Sequence, residues 1–267
     1  MTATHARISS SIGVFDSGVG GLSVLDALRR RMPDASLTYL GDVAHAPYGE
    51  RSVEHVLERA HRIVGHLVAS GARIVVVACN TATVLGIASL RAHWPDVTFI
   101  GVEPGVKPAA ATTRSGRIAV MATTATARSA RLRHLIDTHA AHLQVHIEAC
   151  PGLARAIEQC AHDDAAMHAA LAPHIANLRA AAVDTVVLGC THYAFIADVV
   201  QAMLGPDVTL VDTAHAVAER AAFIRGKPLD EGPARLTIAT TGGSATMAVL
   251  LSRCGHLDPT PIVRLSI

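Results

Sequence analysis

The feature of this 267-residue chain that most limits its fold is a series of short apolar runs, nearly unbroken by polar residues. They lie at Ile12–Phe15, Ser36–Leu40, Ile74–Ala78, Val97–Val102, Ile118–Met121, Leu143–Ile147, Thr185–Leu188, Val208–Val211 and Leu236–Ala239. A strand with one wet face alternates polar and apolar residues, whereas a strand covered on both faces does not. Segments of helical period separate the runs. Leu22–Arg31 stops before Pro33, and Val53–Ser70 stops at Gly71, a residue suited to the left-handed turn that ends a helix. The alternation predicts an α/β protein with mainly parallel sheets. Half of the residues are hydrophobic but only 3% are aromatic, so a sizeable core has to be assembled from Ala, Val, Leu and Ile.

Composition removes several classes of function. Lys and Arg number 23 against 22 Asp and Glu, so no excess charge points to nucleic acid. No apolar run approaches the roughly 18 residues of a membrane span. The polar stretch Met1–Ser11 lacks the apolar segment of a signal peptide. The five cysteines, an odd number without a Cys-x-x-Cys pair, argue against a disulfide framework and fit a reducing cytoplasm.

A weak internal repeat organises the chain. Ser11–Gly18 (SIGVFDSG) matches Arg117–Thr124 (RIAVMATT), Ile74–Thr81 (IVVVACNT) matches Thr185–His192 (TVVLGCTH), and Val97–Pro104 (VTFIGVEP) matches Val208–His215 (VTLVDTAH). The offsets are 106, 111 and 111 residues, in the same order. Any α/β chain yields one such pair, since buried strands resemble one another, but three collinear pairs favour duplication of one α/β unit. Two similar, pseudo-symmetric domains are expected, one made of residues 1–103 and 214–267 and the other of 104–213, with the active site in the cleft between them.

Ligands of open α/β sheets bind beyond the carboxyl ends of the strands. That rule selects Asp16-Ser17, Cys79-Asn80-Thr81, Glu103, Thr123, Cys190-Thr191-His192 and Asp212-Thr213. The repeat sets one cysteine at the same point of each half, so the two thiols are expected to face each other across the cleft. Most lone cysteines are buried packing residues. Two at equivalent strand ends, each followed within two residues by Thr, favour chemistry instead. Inverting a stereocentre by proton transfer needs a base on one face of the carbon and an acid on the other, and matched groups in pseudo-symmetric positions meet that need. The thiolate is the active form, and a helix N-terminus near Thr81 or Thr191 is expected to favour it. Asp16 and His192 stand beside the thiols as proton partners or orienters.

The turn Asp16-Ser17-Gly18-Val19-Gly20-Gly21 follows a strand and precedes a helix, but it is neither G-x-G-x-x-G nor a P-loop. Its backbone N–H groups suit a carboxylate. Ala46-Pro47-Tyr48-Gly49 reads as a turn that presents Tyr48, although a packing aromatic reads the same way. His134, His139, His142 and His146 cluster in sequence, but a helix-to-strand change separates them and no metal site is expected there. Cys150 and Cys160 read as packing residues, Cys254 as incidental. Glu158, in a helical segment, suits an exposed charge or a cleft residue equally.

At this point the motifs resemble one family closely, the bacterial glutamate racemases. The resemblance is carried by FDSGVGGLSVL (Phe15–Leu25), GDVAHAPYGERS (Gly41–Ser52), VVACNTAT (Val76–Thr83) and VVLGCTHY (Val186–Tyr193). It continues through GVEPGVKPA (Gly101–Ala109), ATTATARS (Ala122–Ser129) and LVDTA (Leu210–Ala214), across nearly the whole chain. The resemblance implies interconversion of L- and D-glutamate without a cofactor or metal, feeding peptidoglycan synthesis. Cys79 would take the proton from D-glutamate and Cys190 from L-glutamate, with Asp16 and His192 as auxiliary groups. Asp16, Ser17, Pro47, Tyr48, Gly49, Asn80, Thr81, Thr191 and His192 would bind substrate, with Thr123, Thr126 and Glu158 as further cleft residues. The small-molecule substrate would be the partner, in a homodimer away from nucleic acid and membrane. One departure is Ala194, where the family often has Pro after Gly-Cys-Thr-His-Tyr/Phe; a Pro there would stiffen the turn. Three alternatives remain: a related racemase acting on aspartate or a hydantoin, a hydrolase with a Cys nucleophile, and a two-lobed binding protein that leaves the ligand's α-hydrogen in place.

Overall fold

The structure is a computed structural model that describes residues 11–160, 163–226, 233–257 and 260–267. The N-terminal stretch read for a signal peptide therefore lies, apart from Ser11, outside the described residues. The first half runs β1 (Ile12–Asp16), α1 (Leu22–Arg31), β2 (Leu37–Gly41), α2 (Val53–Ala69), β3 (Ile74–Val77), α3 (Asn80–His93) and β4 (Thr98–Gly101). Next come α4 (Val106–Thr112), β5 (Arg117–Ala122), α5 (Thr124–Ala127), α6 (Ala130–His139), β6 (Gln144–Ala149), α7 (Leu153–Gln159), α8 (Asp164–Ala180), β7 (Thr185–Leu188), α9 (Ala197–Leu204) and β8 (Thr209–Val211). The chain closes with α10 (Ala214–Arg225), β9 (Leu236–Thr240), α11 (Ala245–Leu251) and β10 (Ile262–Arg264). The sequence reading passes over β10, a three-residue edge strand whose residues stay half-buried or exposed. It therefore lacks the continuous apolar run by which the central strands announce themselves.

The strands form two sheets, ordered β10-β9-β2-β1-β3-β4 and β6-β5-β7-β8, and every ladder in them is parallel. The block β2-β1-β3-β4 has the same order as β6-β5-β7-β8, strand for strand. The register agrees as well. Ile12 pairs with Ile74 and Ile118 with Thr185, while Ile74 pairs with Thr98 and Thr185 with Thr209. Beyond the ladders, Ala78 N–H donates to Phe15 O and Gly189 N–H to Met121 O, each at 2.8 Å. General likeness between hydrophobic strands does not produce a shared order and register, so the repeat is a property of the fold.

Helices cover both faces of each sheet, as the runs require. On the first sheet, Leu22, Leu25 and Leu28 of α1 and Val217, Ala218 and Ala221 of α10 pack with Ile12, Val14 and Val76. The other face meets α2 and α3 through Val56, Ile63, Leu67 and Leu90. The second sheet is covered by Leu153, Leu171, Ile175 and Val200 on one side and by Val106, Ala109 and Leu132 on the other. Aliphatic side chains of this kind contribute about 1.5–3 kcal/mol each when fully buried. Among the described residues no helix is long and apolar enough to cross a membrane.

One buried ion pair sits where β2 ends. Asp42, fully buried, takes two hydrogen bonds from Arg59 of α2, both at 2.9 Å, and one each from the Tyr48 hydroxyl (2.6 Å) and the Thr241 hydroxyl (2.7 Å). Burial alone would push the Asp42 carboxyl up, but these donors outweigh it and hold it below the ordinary carboxylate value. Arg59 also donates to the carbonyl of Ile267 at 3.1 Å, which ties the chain's last residue to this point. Arg59→Ala leaves the carboxylate buried without its cation. Such a loss costs about 3–5 kcal/mol, to be read as a lowered urea midpoint; a loss below about 1 kcal/mol would mean that Asp42 finds compensation elsewhere.

Candidate active site

The site forms where the carboxyl ends of β1, β3, β5 and β7 meet. Asp16 is the last residue of β1, and its Oδ2 accepts from the N–H groups of Gly18 (3.2 Å) and Gly21 (3.1 Å), which shapes the tight turn into α1. Gly21 is required there, since a Cβ would lie 2.7 Å from that of Asp16. Cys79 caps α3: its Sγ accepts from Ala82 N–H at 3.4 Å and donates to Ser17 Oγ at 3.5 Å. The expected helix N-terminus is thus in place, yet it does not decide the thiol's state. Burial pushes the Cys79 thiol up to about 12, the Asp16 carboxylate pushes the same way, and Ala82 N–H and Ser17 only partly oppose them.

Cys190 follows β7 and has different company. Its Sγ lies 3.8 Å from His192 Nδ1, and His192 Nε2 lies 2.8 Å from Glu158 Oε1 on α7. Burial alone would make His192 harder to protonate, but its hydrogen bonds to Cys190 and Glu158 outweigh that and raise it well above the usual histidine value. No α-helix starts at Thr191, contrary to the expectation. A short 3₁₀ turn, Thr191–Ile196, takes its place, and the Cys190 side chain does not cap it. Ala194 lies within this turn, where a Pro would have removed a backbone donor.

The two halves are closed on each other. Thr81 Oγ1 meets Thr123 Oγ1 at 3.0 Å, and Thr123 in turn donates to Thr126 Oγ1 at 3.1 Å, so Thr81 is the donor of the first bond. Arg155 of α7 bonds Glu50 at 2.7 Å, and Ser23 Oγ, which donates to the Gly20 carbonyl at 2.9 Å, lies 3.4 Å from the Thr191 carbonyl. Pro47, Gly49, Glu50 and Thr123 share the wall of one crevice with Cys150. Cys79 and Cys190 are 5% and 7% exposed. At the site Asp16 Oδ1 and Asn80 Oδ1 are buried without a donor, while Asn80 Nδ2 is spent on the Val102 carbonyl at 3.0 Å. Tyr48 is fully buried with its hydroxyl committed to Asp42, so the turn carrying it is a fixed support.

Sequence reasoning missed Asp42 and Arg59. The strand-end rule that picks Asp16 and Cys79 also reaches Asp42, beyond Ser36–Leu40, whereas Arg59 in mid-helix carries no signal. Of the histidine cluster, His134 and His142 are exposed, and His146 pairs with Glu148 at 2.9 Å.

Closure depends on a residue without a side chain. A Cβ on Gly20 would lie 2.4 Å from His192 Nδ1 and 2.6 Å from Thr191 Oγ1. Overpacking costs about 1–3 kcal/mol, so Gly20→Ala is expected to open the cleft roughly 5–150-fold more often. Faster labelling of Cys190 by a thiol reagent, located by peptide mapping at unchanged circular dichroism, is the readout; an unchanged labelling rate would show that the contact is not limiting. A second expectation follows from His192. With its folded value raised, its contribution to stability is complete below the unfolded value near 6.5 and is lost as pH rises through the folded value. His192→Gln should therefore lose most stability in the acid-to-neutral range, the gap to the parent closing in alkali, as measured by urea unfolding across pH.

The arrangement has close counterparts among known proteins. The family signature described as Asp/Glu/Hydantoin racemase matches residues 22–221. A glutamate racemase of Pseudomonas entomophila is 45% identical over 231 residues, 86% of this chain and 87% of that one. The crystal structure of a glutamate racemase isoform from Bacillus anthracis superposes with a TM-score of 0.87 at 32% identity, covering 98% of this chain and all of that one. The Escherichia coli glutamate racemase, solved in complex with L-glutamate and the activator UDP-MurNAc-Ala, gives a TM-score of 0.82 at 30% identity over 96% and 98% of the two chains. Two repeated α/β halves closed over a pair of strand-end cysteines thus have their place among these relatives: the chain belongs to the Asp/Glu/hydantoin racemase family.

Proposed function

We propose that this chain is a glutamate racemase that interconverts L- and D-glutamate with its own side chains as acid and base and supplies D-glutamate for peptidoglycan. The observation that carries the reading is the pair Cys79 and Cys190, both buried at equivalent strand ends of the two halves. In one direction the Cys79 thiolate takes the α-proton of D-glutamate as the Cα–H bond breaks, while the Cys190 thiol gives its proton to the opposite face. With L-glutamate the roles exchange. Nothing is oxidised, and the cycle ends with one thiol and one thiolate, as it began.

The surroundings divide the remaining work. Asp16 stands beside Cys79, and His192, held by Glu158, beside Cys190; each is the proton partner of its sulfur. The donorless Asp16 Oδ1 and Asn80 Oδ1 suit an ammonium group. The turns with Ser17, Pro47-Tyr48-Gly49, Thr81, Thr123-Thr126 and Thr191 hold the carboxylates, where N–H and O–H donors stabilise the charge that develops at the α-carboxylate. The catalytic unit would consist of residues 1–103 with 214–267 closing on residues 104–213, in a cytoplasmic homodimer. Cys190, His192 and Glu158 alone have the order of a nucleophile–base–carboxylate triad, but a hydrolase built on them leaves Cys79 without a task.

The test is the proton spectrum of L-glutamate in deuterated water with purified protein and no added cofactor, with aspartate and a hydantoin in parallel. Loss of the glutamate α-proton signal as optical rotation falls toward zero is expected, for glutamate alone. General acid–base groups contribute about 10²–10⁴-fold, so Cys79→Ala and Cys190→Ala should each lower the rate by at least that factor with the fold intact. Full activity in either variant would sink the two-thiol scheme, and exchange with aspartate or the hydantoin instead would reassign the substrate.

A further inference from the structure

We propose that Glu148, Cys150 and His174 form a binding site for one zinc-class divalent cation, beside the cleft, whose wall Cys150 shares, and independent of the racemase reading. Glu148 of β6 and Cys150 just beyond it are two residues apart, and both are buried, at 5% and 2% exposure. His174 comes from α8, its side chain 13% exposed. One oxygen, the sulfur and one ring nitrogen of the three all lie within 4.8 Å of one another. Ligands on zinc sit roughly 3.3–3.8 Å apart given its bond lengths, so the widest pair has to draw in by up to about 1 Å, while His174 Nδ1 and Glu148 Oε1, at 2.7 Å, have to move apart. A mixed set of O, S and N suits zinc and similar borderline cations better than magnesium or calcium.

The neighbours fit the outer shell of such a site. His146 Nε2 lies 2.9 Å from Glu148 Oε2 and Asn177 Nδ2 lies 3.1 Å from Glu148 Oε1, which fixes the carboxylate's plane. His174 Nδ1 sits 2.7 Å from Glu148 Oε1, so one proton between them is what a cation would replace. The Tyr193 hydroxyl is fully buried beside the Cys150 thiol, which bears on its protonation. A metal-bound thiolate is a stronger acceptor for this hydroxyl than a thiol. A narrow crevice lined by Gly49, Thr123, Cys150, Pro151 and Gly152 offers an entry.

The repeat gives an independent argument. Asp42 N–H donates to Asp16 O at 2.9 Å, and Cys150 N–H to Ala122 O at 2.8 Å, so Asp42 and Cys150 occupy the same point of the two halves. In the first half that buried anionic corner holds a permanent cation, the Arg59 guanidinium. The second half offers a thiol, a carboxylate and imidazoles instead. A bound cation would supply there what Arg59 supplies in its twin. Binding releases the thiol proton of Cys150, while the proton between His174 and Glu148 passes to the other ring nitrogen of His174.

The test uses the untagged full-length protein, stripped with a chelator and titrated with cobalt(II). A thiolate-to-cobalt charge-transfer band saturating at one equivalent is expected. The band should vanish in Cys150→Ser, weaken at least tenfold in affinity in His174→Gln and Glu148→Gln, and persist in the Cys79→Ser/Cys190→Ser double variant. Zinc should displace the cobalt and raise the melting temperature of the parent by several degrees, and not that of Cys150→Ser. Binding to exposed histidines alone gives no thiolate band and overturns the proposal. So does a band that survives Cys150→Ser or disappears only in the double variant. Racemase activity is not a readout here, so this outcome and that of the α-proton exchange experiment stand apart.

Discussion

Two backbone hydrogen bonds, Ala78 N–H to Phe15 O and Gly189 N–H to Met121 O, set the point at which each half delivers its sulfur. Both lie one residue before the cysteine and one step past the end of a parallel ladder. A slip of one residue in either pairing would turn the thiol to the opposite face of its sheet. The register is held by apolar residues on both faces of each strand, so the position of the reactive atoms rests on the packing of Val, Ile and Leu. Covering both faces with helices is in turn what makes the strand sequences so uniformly apolar. One physical constraint therefore connects the composition of the chain to the geometry of its cleft.

The two sulfurs share a position but not an environment. Cys79 is pushed up by burial and by an anionic neighbour, Asp16. Cys190 adjoins a histidine kept protonatable by Glu158. A symmetric backbone with asymmetric side chains suits a reaction whose substrate is chiral, since the two faces of the α-carbon present different groups to the two halves. The duplication supplies the matching positions, and divergence supplies the different partners.

Much of this was legible in the sequence, for stated reasons. The strands show as continuous apolar runs, and Leu22–Arg31 is bounded by Pro33, so its limits agree with α1. The strand-end rule finds Asp16, Cys79 and Cys190 because the ladder ends where the apolar run ends. What escaped reading depends on long-range partners. β10 is too short and too exposed to carry a pattern. Arg59 looks like any surface arginine until the sheet places Asp42 beneath it, and nothing in the sequence announces that the Tyr48 hydroxyl bonds that same carboxylate. The turn at Thr191 shows the same limit, because its 3₁₀ geometry depends on how the two halves meet.

The closed cleft has a kinetic consequence. Thr81 with Thr123 and Glu50 with Arg155 bridge the halves, and the sulfurs behind them are nearly sealed. A ligand cannot reach them by diffusion into a standing opening. Each turnover has to break and remake these bonds twice, once for entry and once for exit. The ceiling on its speed is then set by a gate of hydroxyls and one surface ion pair, and solvent viscosity and ionic strength become variables of the catalytic cycle.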